Sequence, residues 1–273
     1  MKMKQGKKKR NLLIVFILLL ALCFVTGCGL LRSDEDKLKD LLEDKYGEEF
    51  GVESYYYAGD MWAMCYPVND PTLLFEVRTD GEVTKISHDY YLQNVVARQV
   101  EEEYGPLVEQ VFPGSYLSVD ISHTLSSIPE TFPKADTVTL DDIIQYYSEN
   151  DISSYIVLNI FIDVSRISEE NVEEEYAFLV EEIGGRVAKG ELTDTIIKLY
   201  FGNAIFVQEC ELILADETWR GSGDIYDKIK ECHRIRIYYY EDGKPLNGAR
   251  DYGGVDYLFE DYVQEREEIL NNG

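Results

Sequence analysis

The residue types able to move protons, hold metals or attack carbonyl carbons are few in this chain and badly spaced for those tasks. The three histidines, His88, His123 and His233, lie far apart, and none has a second metal-type ligand at helical or strand spacing. A zinc or iron site needs such convergence, so no metal ligand is assigned. Cys232 and His233 are adjacent, and neighbours on a strand face opposite ways, so they cannot act on each other as nucleophile and base. No Gly-x-Ser-x-Gly elbow, Ser-x-x-Lys, His-Glu-x-x-His, phosphate-binding glycine loop or dinucleotide fingerprint occurs. Gly221-Ser222-Gly223 lacks the lysine and the preceding strand of a phosphate loop and reads as a flexible loop before a helix. With 52 acidic residues, spacing cannot single out a glycosidase pair, and no segment carries the ligand intervals of a calcium loop. Catalytic and cofactor-binding residues are therefore left unassigned.

Aromatic residues offer more. Tyrosines run together at Tyr55-Tyr56-Tyr57, Tyr90-Tyr91, Tyr146-Tyr147 and Tyr238-Tyr239-Tyr240. Successive strand residues alternate sides, so each triplet must turn at least one phenol away from the core. Exposed tyrosine is rigid and amphipathic and suits recognition of proteins or sugars. Tyr55, Tyr57 and Trp62, with Tyr238 and Tyr240, are the candidate binding surface. The alternative is half-buried strand packing with the hydroxyls in water; Trp219, in a loop, has the same two readings.

The elements that must position these residues follow from periodicity. Ser33 with Asp36 starts a helix over about 34–46, whose Leu38, Leu41, Leu42 and Tyr46 fall at helical spacing. The Tyr-rich stretch 52–66 reads as extended. Leu73 to Thr79 alternates, and Asp80-Gly81 suggests a tight hairpin turn into 82–86. Asp89 is expected to cap a helix that Gly105-Pro106 breaks, with a second turn running on to Phe112 as the alternative. This gives a helix–three-strand–helix module over 34–112.

A second module covers 115–270. It holds a half-buried strand at 117–122, a helix capped by Thr139 and Asp142, and a strand at 155–164 apolar on both faces. Ser168 then caps a long amphipathic helix. Strands are expected over 195–201 and 204–214, then a short helix at 224–231, a strand pointing His233, Ile235, Ile237 and Tyr239 inward, and a helix over 255–270. Cys210 alternates with Phe206, Leu212 and Leu214 and is placed on the apolar side of the 204–214 strand. Acidic stretches such as Glu101 to Glu103 and Glu173 to Glu175 are read as solvated helix faces. The class is α+β, and the element order from Tyr155 matches a ferredoxin-like arrangement.

The N-terminus is of another kind. Basic residues run to Arg10, apolar ones from Leu12 to Val25, and Thr26-Gly27-Cys28 follows. That is the layout of a secretory signal, and its apolar run falls short of the roughly 20 residues of a spanning helix. Val25-Thr26-Gly27-Cys28 resembles the lipobox of bacterial lipoprotein precursors. The resemblance covers the first 28 residues and implies cleavage after Gly27, with a diacylglyceryl group on Cys28 as the mature N-terminus. Residues 1–27 would then be the leader and 28–33 the lipidated anchor and spacer. The alternative is an uncleaved membrane helix over about 12–31. The mature chain keeps Cys65, Cys210 and Cys232, enough for one disulfide at most.

The chain has 26 basic residues and a net charge of −26, and six of the cations (Lys2, Lys4, Lys7, Lys8, Lys9 and Arg10) belong to the leader. Without them the balance falls to −32. Such a domain repels phosphate backbones, which excludes nucleic acid as a partner. The expectation is a lipid-anchored protein on the outer face of the cytoplasmic membrane, binding a protein or cell-wall partner without a cofactor and without catalysing a reaction. The alternatives are an envelope hydrolase whose acidic residues cannot be located, and a solute-binding lipoprotein.

Overall fold

A computed structural model describes residues 32–123, 134–150, 152, 154–216, 229, 232–240, 242–248 and 254–272. The expected leader, Cys28, Trp219 and most of the helix expected over 224–231 lie outside these residues. No described helix is long and apolar enough to cross a membrane.

The chain is α+β, built on two sheets. Helix α1 (Asp34–Tyr46) begins where Ser33 accepts a hydrogen bond from the Asp36 amide at 3.1 Å. Asp34, Glu35 and Asp36 face the positive end of its dipole. Leu38, Leu42 and Tyr46, four apart, form its buried stripe.

Strands β1 (Phe50–Ala58), β2 (Asp60–Pro67), β3 (Phe75–Thr79) and β4 (Ile86–Asp89) follow as an antiparallel meander in that order. Four strands stand where three were expected, because the Tyr-rich stretch folds back at Gly59, whose φ of 87° suits glycine. The two-residue turn at Asp80-Gly81 also gives way to a longer one, and pairing resumes at Thr79 and Ile86. Asp80 decides this: its carboxylate accepts from the Thr84 amide at 2.6 Å and the Lys85 amide at 3.3 Å. Val83 in that turn has φ 54° and is buried. Burying valine returns about 1.5–3 kcal/mol, enough to offset the roughly 1–2 kcal/mol of left-handed backbone.

Helix α2 (Tyr91–Val111) is not capped by Asp89, which ends β4 inside the core, and it is not broken by Pro106. Val96, Val100, Tyr104, Val108 and Val111 are buried on both sides of the proline. Each apolar side chain contributes about 1.5–3 kcal/mol, which together outweighs the roughly 3 kcal/mol proline penalty.

The second sheet runs β10-β9-β8-β7-β6-β5. Its strands are β5 (Tyr116–His123), β6 (Ser154–Asp163), β7 (Thr195–Gly202), β8 (His233–Tyr239), β9 (Pro245–Asn247) and β10 (Val255–Asp256). All neighbours are antiparallel except β6 and β7, joined by a helical crossover. Helix α3 (Leu140–Glu149) has the expected capping box, with Thr139 and Asp142 bonding each other's amides. Strand β6 is buried on both faces, as its run of apolar residues requires. Strand β5 is also covered on both faces, since Ser118 and Asp120 are buried beside Leu117, Val119 and Ile121.

The crossover expected as one helix is composite. It has a 3₁₀ turn (Glu169–Asn171) capped by Ser168, helix α4 (Val172–Ala177), a π turn (Phe178–Gly184) and helix α5 (Gly185–Ala188). A Cβ on Gly184 would lie 2.5 Å from the Gly243 carbonyl oxygen, so only glycine fits there.

The stretch expected as a strand after β7 is instead helix α6 (Ala204–Asp216), with the Asn203 Oδ1 accepting from the Phe206 amide at 2.9 Å. Val207 and Cys210 are three apart and both bury against Phe161 and Tyr200. Cys210 is thus a core residue of a helix, not of a strand. With a helix there and β8–β10 as an antiparallel ribbon, the ferredoxin-like order does not form, although the α+β class stands. The last helix, α7 (Phe259–Asn272), starts later than expected because Val255 and Asp256 pair with Asn247 and Leu246. One apolar cluster runs from Leu38 to Ile269.

Two buried charge networks tie distant segments into that cluster. Arg266 of α7 donates through Nε and Nη2 to Glu175 at 2.7 and 2.9 Å, and through Nη2 to the Ser168 carbonyl at 2.8 Å. Tyr262 Oη donates to the same carboxylate at 2.6 Å. In the first module, Asp89 pairs with Lys45 at 2.7 Å and accepts from the Tyr46 hydroxyl. Glu175 therefore does not belong to the solvated face expected for it. Glu101 does not either: it accepts from the Val119 amide at 2.7 Å, and burial pushes its carboxyl up to about 7.

Candidate functional site

The four-stranded sheet packs one face on the core, burying Met61, Ala63, Cys65, Phe75 and Val77. Its other face carries a row set by register, with Tyr56 opposite Trp62, Trp62 opposite Arg78, and Arg78 opposite His88. One side chain comes from each strand. Tyr56 and Trp62 stack, their ring centroids 6.3 Å apart and their planes 5° from parallel. The Arg78 guanidinium lies 4.7 Å from the Trp62 ring, held by Nε and Nη2 bonds of 2.9 and 2.5 Å to Asp60. Tyr56 is 61% exposed. His88 Nδ1 is buried and lacks a hydrogen-bond partner among the described residues.

An arrangement of stacked rings with a clamped guanidinium can bind flat or apolar groups by stacking and orient them by cation–π attraction. Stacking and cation–π attraction are means of recognition. Rigidity is built in: Trp62 is held on one side by Tyr56 and on the other by Arg78, leaving little rotamer entropy to lose on binding.

Of the five expected surface residues, the structure places only Trp62 in this row. A bulge between Val52 and Ser54 shifts the alternation of β1, so Tyr55 and Tyr57 pair with Ala63 and Met61 on the core side. They stay about half exposed there, Tyr57 Oη donates to Asp34, and that bond first, then burial, pushes the phenol up to about 12. Tyr238 belongs to the other sheet, where it accepts from Arg236 Nη1 at 3.1 Å, and Tyr240 lies just beyond β8. The surface is therefore not one constellation. Tyr56, Arg78 and His88 were missed, and nothing local marks them.

The remaining reactive types are placed as follows. His233 is exposed at the start of β8 and does not point into the core as expected, and the side chain of His123 lies outside the described residues. Among the described residues no three His, Cys, Asp or Glu side chains converge to hold a metal. Cys65, Cys210 and Cys232 are not joined in disulfides, and burial pushes the thiols of Cys65 and Cys232 up, away from nucleophilic thiolate. A cavity of about 490 Å³ opens beside α2, lined by Tyr46, Asp70, Tyr91, Arg98, Glu102 and Lys134 among others. Within its lining Arg98 pairs with Asp70, and Tyr91 donates to Glu48.

The fold defines an α+β protein of two sheets sharing one core. No protein-family model matches the chain, and no curated protein matches it. Among solved structures, the chain is similar to the crystal structure of a DUF5037 family protein from Ruminococcus gnavus ATCC 29149. The TM-score is 0.63 at 21% identity, covering 86% of this chain and 99% of that one. The likeness is one of fold.

Proposed function

We propose that this chain is a lipid-anchored extracytoplasmic binding module, attached to the membrane through Cys28 and recognising a protein or cell-wall component with the outer face of its four-stranded sheet. The observation that carries the binding role is the Tyr56–Trp62–Arg78 stack, an exposed and pre-organised aromatic row. The leader supports the anchoring. Two or more acyl chains would hold the protein stably where one gives marginal binding.

Both halves can be tested in source cells. Radiolabelled fatty acid should enter the wild-type chain and be lost from Cys28→Ala; label retained by that variant would remove the anchor from the proposal. A photoreactive residue at position 56 on intact cells should give a discrete cross-linked species that Trp62→Ala reduces at least tenfold, as expected when about 1.4 kcal/mol or more of stacking is lost. An adduct pattern indifferent to Trp62→Ala and Arg78→Ala would reject the row as the binding face.

A further inference from the structure

Three cations gather on the face of the six-stranded sheet turned from the main core. Lys198 of β7 stands directly opposite Arg236 of β8, and Arg234, two residues earlier, shares the same side. The row continues through Asn159 of β6 to Ser118 of β5, both buried. On one flank lie Phe161 and Tyr200, covered by Val207 and Cys210 of α6; on the other lies the buried carboxylate of Asp120.

Like charges placed opposite each other in an antiparallel ladder destabilise it. Here desolvation compounds the repulsion: burial first, then Arg236, bring the Lys198 ammonium down to about 8, with Arg234 adding to the effect and Asp120 opposing it. Among these four described groups, three cations against one carboxylate leave two positive charges in excess. Arg236 gives Nη1 to Tyr238, while its Nε is buried with no hydrogen-bond partner among the described residues. A chain with net charge −26 has concentrated cations at a half-buried polar row where their repulsion is costly. An anion shared among them would reverse the sign of that interaction and occupy the unused donor.

We infer that Lys198, Arg234 and Arg236, with Asn159 and Ser118 beside them, form a binding site for a phosphate monoester or inorganic phosphate. Phosphate carries about −1.5 to −2 charges at pH 7, which matches the excess, whereas a carboxylate or a phosphodiester brings one. Lysine supplies a point charge and arginine a fork, and together they can surround a tetrahedral oxyanion. The site is on a different sheet from Trp62, so it stands apart from the proposed binding face.

The test uses the full chain in detergent micelles, with inorganic phosphate titrated against chloride at matched ionic strength. Phosphate should raise the melting midpoint, and Lys198→Met and Arg236→Gln should each weaken binding roughly tenfold or more, the loss expected for a charge-assisted hydrogen bond. Methyl phosphate should bind like phosphate and dimethyl phosphate more weakly, while Trp62→Ala should leave phosphate binding unchanged. Lys198, followed by NMR in the wild-type chain, should titrate at higher pH when phosphate is saturating, a readout that survives if Lys198→Met does not fold. Equal responses to chloride and phosphate, unchanged affinity in both variants, or equal binding of the diester would each overturn the assignment.

Discussion

Glu175→Ala should lower the unfolding free energy by about 3–5 kcal/mol, the loss expected when one member of a buried ion pair is removed. The Arg266 side chain is 2% exposed and its carboxylate partner is fully buried, so the guanidinium left behind would have neither water nor counter-charge. Tyr262 would lose its acceptor in the same step. Because α7 meets the crossover through this cluster, the C-terminal helix should detach first. Urea denaturation followed by circular dichroism measures the total, and hydrogen exchange in residues 259–272 reports the local opening. The double change Glu175→Leu with Arg266→Met removes both charges and should recover most of the loss, since apolar replacements of buried pairs are often neutral. A single variant within about 1 kcal/mol of wild type would mean that water reaches the guanidinium freely, as at a surface pair.

Asp89→Ala should have a comparable effect in the first module, again about 3–5 kcal/mol. Its carboxylate accepts from Lys45, whose side chain is 9% exposed, and from the Tyr46 hydroxyl, so truncation strands a buried ammonium and a buried phenol together. Asp89 also meets the Tyr91 amide at 3.4 Å, where β4 hands over to α2. Asp89→Asn keeps an acceptor but not the charge and should fall between alanine and wild type. Thermal melting of the three proteins supplies the ranking; an asparagine variant as stable as wild type would show that the charge contributes nothing. Tyr46 and Tyr91 pack edge to face at 4.9 Å, so a looser Asp89 site should also change the near-ultraviolet signal of the tyrosines.

The sequence by itself determined the features whose physics lies within a few residues or within one segment's own periodicity. Helix α1 and helix α3 start where Ser33 and Thr139 can bond an amide three residues on. Strand β6 is covered on both faces because Val157 and Phe161 make its second face apolar as well. The charged, apolar and small-residue blocks of residues 1–28, on which the proposed anchor rests, are likewise contiguous.

Tertiary structure decided what depends on a partner far along the chain. Ala204 to Leu214 offers apolar residues at both strand and helical spacing, and only Phe161 and Tyr200 awaiting Val207 and Cys210 select the helix. Glu175 looks like its neighbours Glu173 and Glu174 until Arg266, 91 positions away, takes it into the core. The candidate site is of this second kind. Three adjacent tyrosines cannot reveal which of them faces outward, because one bulge at Glu53 inverts the alternation, and it is the pairing of β1 with β2 that puts Tyr56, rather than Tyr55 or Tyr57, against Trp62.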